Sequence, residues 1–152
     1  MAETKWGKYI ITKYLSPEEL KARGRKIDPR EPGVPFVNRR LWIDEKVVEG
    51  AFYMECHIIE PGSKPGKVWV EPHTHDSNEI IGFIGTDVQH PDELRGEIEM
   101  WMEDEKHILT KSCLIYVPKG FKHCPLRFVR IDHPVVHFSV LTGGQYLWDA
   151  KK

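Results

Sequence analysis

Residues 71–85 read "EPHTHDSNEIIGFIG": two histidines two apart, a short polar triplet, a glutamate, then a run of β-forming residues. With eight histidines in 152 residues an H-x-H arises readily by chance, so the pair alone carries little weight. Its geometry carries more. On an extended chain residues two apart share a face, so His73 and His75 can both point inward. In a straight strand Glu79 would lie about 13 Å beyond His75, too far to share an ion. Asp76, Ser77 and Asn78 are turn-forming residue types, however, and a bend there would bring the carboxylate back to the imidazoles. The stretch therefore reads as an extended pair, a bend and a strand over "EIIGFIG".

Strand signals continue on both sides. In "GAFYMECHII" (50–59), Phe52, Met54, Cys56 and Ile58 alternate with Tyr53, Glu55 and His57. "GKVWVE" (66–71) reads as a short strand stopped by Pro72. "GTDVQHPDELRG" (85–96) reads as a loop, and "EIEMWME" (97–103) as a strand with Ile98, Met100 and Met102 on one face. A turn at Asp104-Glu105 is expected to lead into "HILTK" (107–111). "CLIYVP", "LRFVRI" and "PVVHFSVL" supply the remaining strands. The one helix signal is "SPEELKARG" (16–24): Ser16 as cap, Pro17 in the first turn, Glu19 closing a capping box and Gly24 ending it. "DPREPGVPFVNRR" (28–40) reads as an extended, proline-punctuated arm. Many short strands and almost no helix predict an all-β sandwich or barrel. The expected organisation is a single domain over 1–152, with an arm and short helix (1–49) packed on a barrel (50–145).

Composition bounds the function. Lys plus Arg is 22 and Asp plus Glu is 23, which argues against a nucleic-acid binder relying on a basic surface. No apolar run approaches a bilayer-spanning length, and the first residues lack the form of a secretory signal. Cys56, Cys113 and Cys124 cannot all pair within one chain and read as free thiols, consistent with a cytoplasmic protein.

A second constellation lies in "CLIYVPKGFKHCP" (113–125). A strand enters the turn Pro118-Lys119-Gly120 and the chain then presents His123. Together the two stretches resemble the motifs of the cupins. The first cupin motif corresponds to Gly66, His73, His75, Glu79 and Gly85, the second to Pro118, Gly120 and His123. The resemblance covers about residues 50–141. It departs from the family pattern in one extra residue after Gly66, in the early Gly85, in Ser112 where glycine is usual, and in Arg127 where asparagine is common. It implies a double-stranded β-helix (jelly-roll) barrel holding one divalent metal on His73, His75, Glu79 and His123.

Imidazoles and a carboxylate without thiolate suit Fe, Mn, Ni, Co or Zn, and leave positions open for substrate. The expected function is therefore a metal-dependent enzyme acting on a small, oxygen-rich molecule, with a dioxygenase favoured. A redox-neutral lyase, isomerase or decarboxylase on the same metal is the alternative within that class. A metal-containing ligand-binding or sensory module is the alternative outside it. His137, in an otherwise apolar strand, is a candidate acid or base. Arg127 is a candidate for pairing with a substrate carboxylate. His57, Tyr53 and Tyr116 read more simply as packing residues. Apolar residues on both faces of the strands suggest a homodimer.

Overall fold

The computed structural model describes residues 4–23, 40–62 and 68–143. The proline-rich arm before Arg40, Gly24, Gly66 and the residues after Gly143 lie outside them. The helix α1 spans Pro17–Ala22. The strands are β1 (Arg40–Ile43), β2 (Tyr53–Ile59), β3 (Glu79–Gly85), β4 (Glu93–Met102), β5 (Glu105–Lys111), β6 (Cys113–Val117), β7 (His123–Ile131) and β8 (Val135–Leu141). They form two antiparallel sheets, one of five strands in the order β1-β2-β8-β3-β6 and one of three in the order β5-β4-β7. The chain alternates between the sheets after β3, after β5 and at every step from β6 to β8, as in a jelly roll. Ile59, Ile81 and Phe83 of the larger sheet pack against Leu94, Ile98, Met100, Leu126 and Phe128 of the smaller.

Local chemistry accounts for the ends of the elements. Ser16 Oγ accepts from the Glu19 amide (3.2 Å), while Glu19 Oε2 accepts from the Ser16 amide (2.8 Å), closing the capping box at the start of α1. Leu20 of that helix is fully buried and packs with Trp42, Tyr53 and Leu141. Arg23, just past the helix, reaches Asp44 after β1 at 3.0 Å.

Four features differ from the sequence expectations. "RLWI" (40–43), read as part of an arm, pairs with β2 as a strand of the larger sheet. Of the residues expected to form the strand "GKVWVE", those described make one isolated bridge, Val70 to Leu126, and just beyond them His73 bridges His123. Pro72 and Pro125 have no N–H to give a ladder between these bridges. β4 begins at Glu93, inside the expected loop, and its pairing with β5 is irregular between Glu93 and Ile98. The hairpin turn falls at Glu103-Asp104, one residue early, with Glu103 at φ 52°.

The alternation in β2 has an unexpected sense. Tyr53, Glu55, His57 and Ile59 are the buried set, while Ile58 and Phe52 stand exposed. The same sense holds in β8, where Val135, His137, Ser139 and Leu141 are buried and the residues between them only half-buried. The registers place Met54, Val140, Ile80 and Tyr116 in one row across the outside of the larger sheet.

Candidate metal centre

His73 and His75 lie on the bridged segment before β3, and both are buried. The chain bends at Asp76-Ser77, as the residue types required, and Glu79 opens β3 with its carboxylate turned back into the barrel. His123 opens β7 immediately after the second turn, where Gly120 takes φ 76°, a conformation that glycine adopts without strain. Phe121 N donates to Pro118 O (3.0 Å) to close that turn. The two motif loops are joined through the main chain. Gly120 N donates to His75 O (2.8 Å), Lys119 N to Asn78 Oδ1 (2.9 Å), and His73 and His123 exchange backbone hydrogen bonds of 3.1 Å.

The four side chains converge. One donor atom from each of His73, His75, Glu79 and His123 lies within 4.8 Å of all the others, and all four residues are buried. Nε2 of His73 is 3.0 Å from Nε2 of His75, which is 3.2 Å from Oε2 of Glu79. That oxygen is 3.0 Å from Nε2 of His123. Two of the rings are fixed by the same device: Nδ1 of His73 donates to Glu71 O (2.7 Å), and Nδ1 of His123 donates to Phe121 O (3.2 Å). Each bond places the ring proton on Nδ1 and leaves the Nε2 lone pair facing the cluster.

This arrangement fits a metal ion. His123 Nε2 and Glu79 Oε2 are buried without a hydrogen-bond partner, although they face each other. Adjacent ligands on an ion with bonds of about 2.1 Å lie about 3.0 Å apart when they subtend a right angle. The donor spacings have that value. No thiolate takes part, for Cys56, Cys113 and Cys124 are free and burial pushes all three thiols up.

The protonation states also suit a cation. Burial lowers the His73 imidazole to about 4, helped by the neighbouring His123, so it is neutral with a lone pair to give. Burial alone would raise the Glu79 carboxyl. His123, His75 and the Ser139 hydroxyl, all turned towards it, hold it well below the usual carboxylate range instead.

Of the remaining candidates, His137 lies on the inner face of β8 with its ring stacked on Phe83 (4.4 Å) and its edge towards His57 (4.7 Å). Its Nδ1 donates to Gly82 O at 2.9 Å. Arg127 is not brought to the cluster. It sits between the buried Leu126 and Phe128 on the outer side of β7, with Nε 3.6 Å from Glu99. Tyr53 is buried against Trp42, whereas Tyr116 is exposed on the outside of the larger sheet.

Ser139 went unnoticed in the sequence. Its hydroxyl donates to Glu79 Oε1, the carboxylate oxygen that faces away from the imidazoles. The signal was present in "PVVHFSVL", where two polar residues two apart interrupt an apolar strand on a single face. Across the ladder Ser139 stands opposite Glu55, and His137 opposite His57. These four residues, all buried, make a polar strip running along the inside of the larger sheet from the cluster.

No family model matches the chain, and no curated protein matches it. Solved structures do. A protein with a double-stranded β-helix domain from Klebsiella pneumoniae is 16% identical with a TM-score of 0.49, over 83% of this chain and 91% of that one. A cupin protein from Bacteroides fragilis is 16% identical with a TM-score of 0.43, over 84% and 90%. Oxalate decarboxylase from Bacillus subtilis is 16% identical with a TM-score of 0.48, over 80% of this chain and 29% of the enzyme. At these identities and scores the likenesses say nothing of substrate or reaction. On its own topology and side chains, the protein has a double-stranded β-helix (jelly-roll) fold enclosing a buried cluster of three histidines and one glutamate.

Proposed function

We propose that the protein is a metal-dependent enzyme acting on a small, oxygen-rich organic molecule, with one divalent transition metal on His73, His75, Glu79 and His123. The observation that carries this reading is the convergence of four buried donor atoms within 4.8 Å, two of them on rings whose Nδ1 protons are fixed by main-chain carbonyls. A bound Fe, Mn, Ni, Co or Zn would supply Lewis acidity and a template for an oxygen-bearing substrate, with redox chemistry added for iron.

The chain's own residues do the rest. Ser139 holds Glu79 by one oxygen, so the other is kept for the cluster. The polar strip of Glu55, His57 and His137 offers hydrogen-bonding groups to one side of a substrate. Leu126 and Phe128 of the facing sheet exclude water from the other. His137 is the proposed acid or base. Its Nδ1 is committed to Gly82 O, so Nε2 is the atom that takes and returns a proton.

Within this class the first reading is a dioxygenase, because imidazole-rich metals with free adjacent positions suit dioxygen together with substrate. The buried proton-handling residues favour a second reading, a redox-neutral lyase, isomerase or decarboxylase on the same site. Elemental analysis of protein purified without chelators, beside the His123→Ala variant, tests the common ground. About one equivalent of metal in the wild type and almost none in the folded variant is expected. Full retention by His123→Ala overturns the ligand set. Oxygen consumption by the iron-loaded protein with a panel of hydroxy and keto acids then separates the two readings. Tight binding of such an acid without turnover would make the protein a binding module instead.

A further inference from the structure

Glu79 is the first residue of β3, and β3 lies between β8 and β6. It stands opposite Leu141 of β8 on one side and Val117, the last residue of β6, on the other. Successive strand residues direct their main-chain bonds alternately to the two sides. Asn78, one position before β3, bonds towards β8: its O accepts from Thr142 N (3.2 Å). Ser77 would be the next residue to bond towards β6, with Lys119 opposite in the continued register. The chain bends at Asp76-Ser77 and leaves that ladder. Lys119 N donates to Asn78 Oδ1 instead, at 2.9 Å. The Asn78 side chain thus stands in for a main-chain acceptor just beyond the end of the sheet. Asn78 is exposed, yet it adjoins Glu79 in the chain and is held from both neighbouring strands.

We propose that Asn78 is a positioning residue for the metal centre: its side-chain oxygen pins the start of β3 and, through it, the Glu79 carboxylate. The inference rests on the metal reading of the cluster given above. Ladders open first at their ends, and Glu79 is a ligand placed at one. Ser139 holds its carboxylate from inside the barrel, and Asn78 holds its main chain from outside. The role needs an acceptor at the end of a short side chain, which asparagine and aspartate carry. Leucine has a similar size but no acceptor. Asp76 adds a looser link across the same gap, 2.6 Å from Lys119 Nζ, with both side chains largely in water.

Titration of the metal-free protein with zinc against a chelating dye provides the test. Asn78→Ala and Asn78→Leu are expected to weaken zinc binding about tenfold, as loss of a group that orients a ligand does. Asn78→Asp keeps the oxygen and should recover most of the affinity. The denaturant midpoints of the metal-free variants should stay close to that of the wild type, because the lost bond is exposed. A double-mutant cycle separates positioning from a general effect on the bend. In a Glu79→Ala background, Asn78→Ala should cost little further affinity, since the residue it acts through is gone. Equal zinc affinity in the wild type and Asn78→Ala overturns the proposal. So does a full loss that persists in the Glu79→Ala background, or an Asn78→Asp variant no better than Asn78→Ala. A wild type that binds no zinc, iron, manganese, nickel or cobalt overturns the metal reading itself, and this proposal with it.

Discussion

The two sheets obey the same alternation, but the larger mixes polar groups with its inward Ile59, Ile81 and Phe83 and turns apolar residues outward. In the smaller, Ile98, Met100, Leu126 and Phe128 face inward while Glu97, Glu99, Arg127 and Arg130 face out. In the larger, Glu55, His57, Glu79, His137 and Ser139 face inward while Met54, Ile58, Ile80 and Leu114 face out. The first arrangement is the one stability alone favours, with apolar area buried and charge in water. The second costs desolvation at every inward polar group and leaves apolar surface outside. A wall built this way fits the proposed chemistry, and the smaller sheet supplies much of the burial that offsets it.

Substitutions in the two walls should therefore fail in different ways. Phe128→Ala, in the stabilising wall, is expected to cost about 3–5 kcal/mol in denaturant unfolding. Residual metal binding by the fraction still folded should be unchanged. The pH dependence of the metal-free protein belongs to the histidine–glutamate cluster, whose His73 bridges His123 of β7. His73 is lowered from 6.5 to about 4 in the folded state, so the unfolded chain binds a proton across that window that the folded chain refuses. Stability should fall as the pH drops from about 6.5 to 4, by up to about 3 kcal/mol from this group. A His73→Gln variant should show a flatter profile over the same range.

Ser139→Ala should leave the barrel folded and weaken metal affinity by about 10–100-fold, since it removes a group that holds a ligand. Titration against a competing chelator measures this, and unchanged affinity would deny Ser139 a positioning role. The smallest effect is expected from Arg127→Ala: under about 1 kcal/mol, with metal content unaltered, because it breaks only a half-exposed ion pair with Glu99. A large loss of metal or stability there would blur the contrast between the sheets.

Much of this architecture was legible in the sequence. The strand over Glu79–Gly85, the bend before it and the turn at Gly120 all follow from local residue chemistry, and the structure brings the four proposed ligands together. The strand formed by Arg40–Ile43 was hidden because its pairing with β2 is a long-range event, directly after a segment read as a proline-punctuated arm. The sense of the alternation in β2 was hidden for a different reason. Period two tells which residues share a face, but not which face the barrel encloses. Met54, Cys56 and Ile58 look like a core stripe until the position of the opposite sheet is known. Ser139 was missed because its role exists only through Glu79, sixty residues away in the chain.

The hydrogen bonds from Gly120 to His75 and from Lys119 to Asn78 have an entropic consequence. They commit both loops to each other when the barrel folds, so the ordering of the ligands is charged to folding and not to the capture of an ion. A cation arriving at the proposed site would meet a preorganised cage, and its binding energy would go into bonds to the donors instead of into arranging them. The same main-chain links make the two halves of the cage one mechanical unit: neither loop would swing away from a bound ion without the other loosening, so release would be concerted.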